Sequence, residues 1–359
     1  MKKERMKSMK GYKKVLWIMT LAIMISSVSG CTNTTGAGGL SNTKNVEKTE
    51  DSQLSITVEG DMYPLKVKDF LKKETILENK PEKVAVLSGT PLNIWYDLGG
   101  KSVCTSDVSD NVKLIPEYEE EIRSLPTIGP VYSIDMESVI PHKPDLIIAQ
   151  VGTQSTQAKK LREMGFNVIT THIRGYDDVV STYKAFGKIL EKEELAETKI
   201  KELERQKKEI VSKLPEENKS VVILYITSKT LAVKLDNSIA GDIAKILRLK
   251  NIASDLPPDT IGSETTPLDI EYIVDKNPDY ILVTSMISSN EGAVKAIEEE
   301  FATNPVWNGV KAIQEGRVVH LPQEYFLYNA GPYYHEAIEY MARSIYPEVY
   351  GEVNKQDEK

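Results

Sequence analysis

The chain is poor in the residues that build metal cages and redox sites, with two cysteines and four histidines among 359 residues. Cys31 and Cys104 allow at most one bridge, so no disulfide framework holds this fold. There is no C-x-x-C, H-x-x-x-H or H-E-x-x-H spacing, which argues against a dedicated structural or catalytic metal cage. G-x-G-x-x-G is missing, and so is the full G-x-x-x-x-G-K-[ST] spacing, so neither phosphate-cradling fingerprint is present. No G-x-S-x-G occurs and no Ser/His/Asp set falls on a loop, which weighs against a hydrolase. Positive charge is scarce outside the first 30 residues. Those carry seven Lys/Arg and one acid, leaving 38 basic against 52 acidic residues, a net of −14. An acidic body excludes nucleic acid as the main partner.

Long apolar runs are short as well. Val15–Val28 has 14 residues, where a bilayer span needs ~20. It follows the basic stretch Lys2–Lys14 and precedes Ser29, Gly30 and Cys31, which predicts a secretory signal with a small-residue cleavage site. The tetrad VSGC is similar to the bacterial lipobox, in which the cysteine becomes the lipidated first residue. That makes 1–31 a lipoprotein signal and Cys31 the lipidation site; an ordinary cleavage site with an incidental cysteine is the plainer alternative. Residues 32–53 are rich in Gly, Thr, Ser and Asn and read as a flexible tether. Cys104, in an expected strand Ser102–Ser106, reads as a small buried hydrophobe.

The body repeats one unit. Tyr132–Gln150 reads YSIDMESVIPHKPDLIIAQ and Pro267–Ser285 reads PLDIEYIVDKNPDYILVTS. Each has a short apolar-periodic stretch with an acid, a polar-Pro-Asp break, and a β-branched run: helix, turn, buried strand. Glu137 lies seven residues before Pro144, and Glu271 seven before Pro278. A unit stated twice, with strands and helices alternating around it, predicts two similar α/β halves with parallel sheets. Gln53–Leu65 alternates as a hairpin, and Lys80–Leu87 leads into a strand followed by the loop Ser88–Pro91 and a helix. Asp177–Leu214 keeps helical apolar spacing without proline, and predicts one long helix with room for a break near Glu191–Glu194.

Seven segments in order carry a family likeness: KPEKVAVLSGTPLNIWYDLG, IGPVYSIDMESVIPHKPDLII, LREMGFNV, the long helix, PLDIEYIVDKNPDYILV, NPVWNGVKAIQEGRVVHLP and AIEYMARSIYPE. Over roughly residues 54–350 the chain resembles the substrate-binding proteins of bacterial ABC importers for iron complexes, haem and vitamin B12. The resemblance implies two Rossmann-like lobes, 54–176 and 215–350, bridged by a helix over 177–214, with a ligand cleft between them and a short tail, 351–359. It implies a monomeric receptor, not an enzyme, with no intrinsic cofactor. It would work with permease and ATPase subunits from the outer face of the cell membrane. It also implies that Glu137 and Glu271, one per lobe, dock on permease arginines. Two carboxylates on matching surfaces make an orientation-fixing contact with a basic partner. A solvated helix-face Glu is the bland alternative for each.

Parallel sheets bind ligands beyond the carboxyl ends of their strands. This selects Ser88, Thr90, Tyr132, Gln154, His172 and Arg174 from the first lobe, and Met286, Tyr325 and Tyr328 from the second. His172 and Arg174 suit an anionic ligand, with a solvent-facing place on the loop as the equal alternative. The resemblance implies a further role for Tyr132, which stands where haem binders of this family place an axial ligand. It would be the metal ligand if the cargo is haem. Met286 falls where one subgroup has a second axial histidine, a departure from that pattern. A cleft-wall aromatic is the plain reading of Tyr132. His142, His320 and His335 are less suited to ligand contact. The expected cargo is an iron chelate or haem, with a corrinoid as the alternative. A secreted enzyme and a bare-metal-ion receptor are weaker readings, the latter because four scattered histidines do not converge.

Overall fold

A computed structural model describes Ile56–Val353 except Asn111, Ser288, Asn329 and Ala330. The signal, Cys31, the tether and the last tail residues lie outside the described residues. The expected hairpin is there: β1 (Thr57–Glu59) pairs antiparallel with β2 (Leu65–Lys68). A third strand, β3 (Glu74–Leu77), extends it. Sequence reasoning missed β3 because its apolar Ile76 faces solvent, which breaks the expected alternation.

Next comes a parallel sheet. β4 (Val84–Val86) leads into helix α1 (Gly89–Asp97), and α2 (Glu119–Arg123) and α3 (Met136–Val139) precede β5 (Leu146–Gln150). Helix α4 (Ser155–Glu163) then returns the chain to β6 (Val168–Thr171), and the strand order is β4-β5-β6. The expected strand Ser102–Ser106 is reduced to a single bridge between Thr105 and Thr127. The reason is local. Ser102 Oγ accepts the Val86 N–H at 2.9 Å and donates to the Cys104 carbonyl at 2.7 Å, so a side chain takes the place of a ladder bond. Cys104 is fully buried, and burial pushes its thiol up to about 11.

The segment expected as one helix is two, α5 (Tyr176–Leu190) and α6 (Glu193–Val211). Glu191 adopts a left-handed conformation (φ 55°) between them, and the chain folds back. Lys207 near the end of α6 places its Nζ 3.4 Å from the ring centre of Tyr176 at the start of α5. Midway, Asp97 of α1 accepts from Tyr183 Oη and Lys199 Nζ, both at 2.6 Å. At the turn, a Cβ on Gly187 would lie 2.5 Å from the Ala196 Cβ, so only glycine lets the helices approach.

After Pro215 comes β7 (Ser220–Ile226), then β8 (Leu231–Lys234), α7 (Ile239–Ile246), β9 (Lys250–Asn251) and β10 (Thr265–Pro267). Helix α8 (Ile270–Lys276), β11 (Tyr280–Ser285), α9 (Asn290–Thr303), α10 (Lys311–Gln314) and β12 (Val318–His320) follow. Three helices close the chain, α11 (Gln323–Phe326), α12 (Tyr334–Ile345) and α13 (Pro347–Tyr350). The strand order is β10-β8-β7-β11-β12, with β9 beside the start of β7. β7, β11 and β12 are parallel, whereas β8 pairs antiparallel with both β7 and β10, so this sheet is mixed rather than purely parallel.

The repeated unit has a repeated cause. Asp135 caps α3 by accepting the Glu137 N–H, and Asp269 caps α8 by accepting the Tyr272 N–H, both at 3.0 Å. Each helical stretch ends on a left-handed residue, Lys143 or Asn277. The aspartate of each Pro-Asp pair then binds the start of the neighbouring strand. Asp145 accepts from Glu82 N–H (2.7 Å) and Lys83 N–H (3.0 Å), and Asp279 from Ser220 N–H (2.7 Å). The same residue pattern thus sets β5 beside β4 and β11 beside β7.

One apolar cluster runs through both halves, from Val86, Tyr183 and Phe186 to Val221, Tyr334 and Tyr346. At the join, Asp242 of α7 accepts the Tyr176 N–H (2.9 Å) and Tyr334 Oη (2.5 Å). A Gly187→Val change forces the α5–α6 contact apart, and overpacking of this kind costs about 1–3 kcal/mol. A lower urea midpoint with an unchanged slope is the expected result.

Candidate functional site

The carboxyl ends of the two parallel strand sets meet along one seam. From the first half, Thr90 Oγ1 donates to the Tyr328 carbonyl at 2.6 Å, and Ser88 Oγ to Gln150 Oε1 at 3.1 Å. Tyr132 Oη lies 4.0 Å from Met286 Sδ, just beyond β11 in the second half. The same sulfur accepts from Tyr225 Oη at 3.1 Å. His172 Nε2 stands 3.8 Å from Glu264, and Arg174 Nη1 donates to the Gly262 carbonyl at 3.4 Å. Lys234 lies 3.0 Å from Glu264 and 4.3 Å from the Tyr225 ring centre.

Seven of the nine expected wall residues therefore gather on this seam: Ser88, Thr90, Tyr132, His172, Arg174, Met286 and Tyr328. Two do not. Gln154 is fully buried, donating to the Leu87 carbonyl (2.6 Å) and accepting the Gln150 N–H (3.0 Å), so it ties loops together beneath the wall. Tyr325 is buried against Tyr340, with Lys113 over its ring, and belongs to the core. Sequence reasoning missed Gln150, Tyr225, Lys234 and Glu264. Tyr225 had a readable signal, the one hydroxyl-bearing aromatic inside the buried run of β7. Lys234 and Glu264 come together only through β8–β10 pairing, which no local spacing announces.

The seam's chemistry is that of neutral phenols, a neutral imidazole and cations. Burial, then the neighbouring Tyr328 and Tyr225, push the Tyr132 phenol up to about 12, and burial raises Tyr225 and Tyr328 as well. Burial and then the Arg174 charge push His172 down to about 3. Three buried polar atoms lack a partner at the ends of β5 and β6: Thr153 Oγ1, Thr171 Oγ1 and His172 Nδ1. Unmet polar groups are uncommon in folded cores and mark a place for a ligand or water. Among the described residues no group of three His, Cys, Asp or Glu side chains is arranged to hold a metal ion. A cavity of about 410 Å³ lies beside β12, lined by Asn290, Glu291, His320, Tyr340 and apolar neighbours. None of the nine expected wall residues lines it, so it is not the seam.

Glu137 and Glu271 are both exposed, each in the first turn of a short helix. Among the described residues no helix is long and apolar enough to cross a membrane.

The unfolded chain protonates His172 near its ordinary value of 6.5, whereas the folded protein keeps the ring neutral down to about 3. Stability therefore falls as pH drops through that window. His172→Gln flattens this acid limb, which urea unfolding at pH 7, 5 and 4 measures.

Comparison with known proteins gives this geometry a family. A family model described as periplasmic binding protein matches residues 84–325. The chain is 25% identical over 307 residues to the Fe(3+)-citrate-binding protein YfmC of Bacillus subtilis, covering 85% of this chain and 87% of that one. It is 24% identical over 301 residues to YvrC, an ABC transporter substrate-binding lipoprotein of the same organism, covering 81% and 88%. The crystal structure of S. aureus IsdE complexed with heme superposes with a TM-score of 0.63 at 19% identity, covering 73% of this chain and 98% of that one. With the family model matching well over half of its length, the chain belongs to the periplasmic binding protein family.

Proposed function

We propose that this protein is the substrate-binding component of an ABC importer, held outside the cell by a lipid on Cys31. It takes an iron complex at the seam between its two lobes and hands it to a permease driven by an ATPase subunit. The observation that carries this reading is the convergence of Tyr132, Tyr225, Tyr328, Lys234 and Arg174 beside three unpartnered polar atoms. Phenols and cations at one seam suit a ligand that is both flat or aromatic and anionic. The Fe(3+)-citrate-binding relative supports a ferric chelate as the cargo. Glu137 and Glu271, exposed on twin helices, are the two points that dock on the permease.

One observation favours haem as a second reading. Tyr132 Oη and Met286 Sδ face each other from opposite lobes at 4.0 Å, and a phenolate and a thioether are both axial-ligand chemistries. The ferric iron would supply the charge that draws the proton from the Tyr132 phenol.

Two experiments separate these readings. Titration with ferric citrate quenches tryptophan fluorescence saturably, and Arg174→Ala weakens binding at least tenfold. Haem added to the apo-protein gives a tyrosinate-type ferric spectrum that Tyr132→Phe abolishes if haem is the cargo, whereas a free-haem spectrum discards that branch. In cells, Glu137→Ala with Glu271→Ala abolishes uptake while the purified variant keeps its ligand affinity within about twofold. Weakened binding in that variant would instead make the pair structural.

A further inference from the structure

Among the described residues Glu264 is the acid paired with Lys234, a cation of the seam. Its carboxylate lies 3.0 Å from Lys234 of the second half and 3.8 Å from His172 of the first. Two residues earlier, the Gly262 carbonyl takes the Arg174 guanidinium at 3.4 Å. No carboxylate lies within 4.0 Å of that guanidinium among the described residues. Lys234 has no second carboxylate within that distance among the described residues, and its other neighbour is the face of Tyr225. Residues 262–264 thus give each of the two wall cations an oxygen. Those are the positions that oxygens of an anionic ligand would take.

Resting on the receptor reading above, we propose that Glu264 is a specificity-determining residue, an internal counter-anion that a polyanionic ferric chelate must displace from Lys234. The chelate class is one bearing carboxylate or catecholate oxygens. A neutral hydroxamate chelate gains nothing from Lys234 and leaves the Lys234–Glu264 pair intact. The internal anion therefore sets a threshold: a ligand needs enough negative charge to replace one already in place. The pair also lies at the wall rather than in the core, since Glu264 retains 28% of its side-chain exposure, so its carboxylate has water to swing into.

The test compares Glu264→Gln with wild type by calorimetric titration with ferric citrate and with a neutral ferric trihydroxamate. The glutamine variant is expected to bind ferric citrate about tenfold more tightly at low salt, with the gain shrinking at 0.5 M salt as screening grows (about 3 Å Debye length at 1 M). Its affinity for the neutral chelate stays within about twofold. In a Lys234→Met background the gain disappears, because no cation is left to release. Circular dichroism checks that each variant is folded, and Glu264→Asp serves as the conservative control that keeps the charge. Wild type that binds ferric citrate while Glu264→Gln shows no gain overturns this inference alone. An equal gain for both chelates also overturns it, as does a gain that survives Lys234→Met. Wild type that binds neither chelate overturns the receptor reading for ferric chelates and this inference with it.

Discussion

The two halves of this protein hold together at Asp242. Its carboxylate takes the first free N–H of α5, where the chain leaves the first sheet, and the hydroxyl of Tyr334 on the last long helix. Gly175 sits against it so closely that a Cβ would lie 3.1 Å from the carboxyl carbon. Burial raises the Asp242 pKa, and the two donors, with the Lys245 charge, work against that cost. An unpaired carboxyl at this point would leave the α5 start and α12 without a common anchor. The seam depends on that anchor, since four of its wall contacts reach from one half to the other over 4 Å or less.

Much of this was legible from the chain alone because its causes are local. The twice-stated unit could be read from acid, Pro-Asp break and β-branched run. The structure supplies the chemistry: an aspartate cap, a left-handed stop, and a carboxylate bound to the next strand. The wall residues on loops after strands were legible for the same reason, since alternation fixes where strands end. What was not legible depends on distant pairing. Lys234 and Glu264 meet because β8 pairs with β10, and the antiparallel strands that make the second sheet mixed have no counterpart in the repeat. Ser102 misled because its hydroxyl, not its backbone, makes the bond that a strand would make. Gln154 and Tyr325 fell on the right loops but turned inward, a matter of side-chain direction that spacing does not encode.

The sequence of this chain thus carries two kinds of signal. The scaffold is written in repeated local signals. The seam is made of single residues brought together by the fold, among them one lysine, one glutamate, three phenols and an imidazole kept neutral by burial.

The fold-back at Glu191 has a mechanical consequence. A single helix of 19 residues is a slender rod of about 28 Å that bends easily at its middle. Here that rod is laid against the 15-residue α5 and interlocked with it at Gly187. Because Lys207 near the end of α6 returns to Tyr176 at the start of α5, the chain comes back beside the point where it left the first sheet before it enters the second.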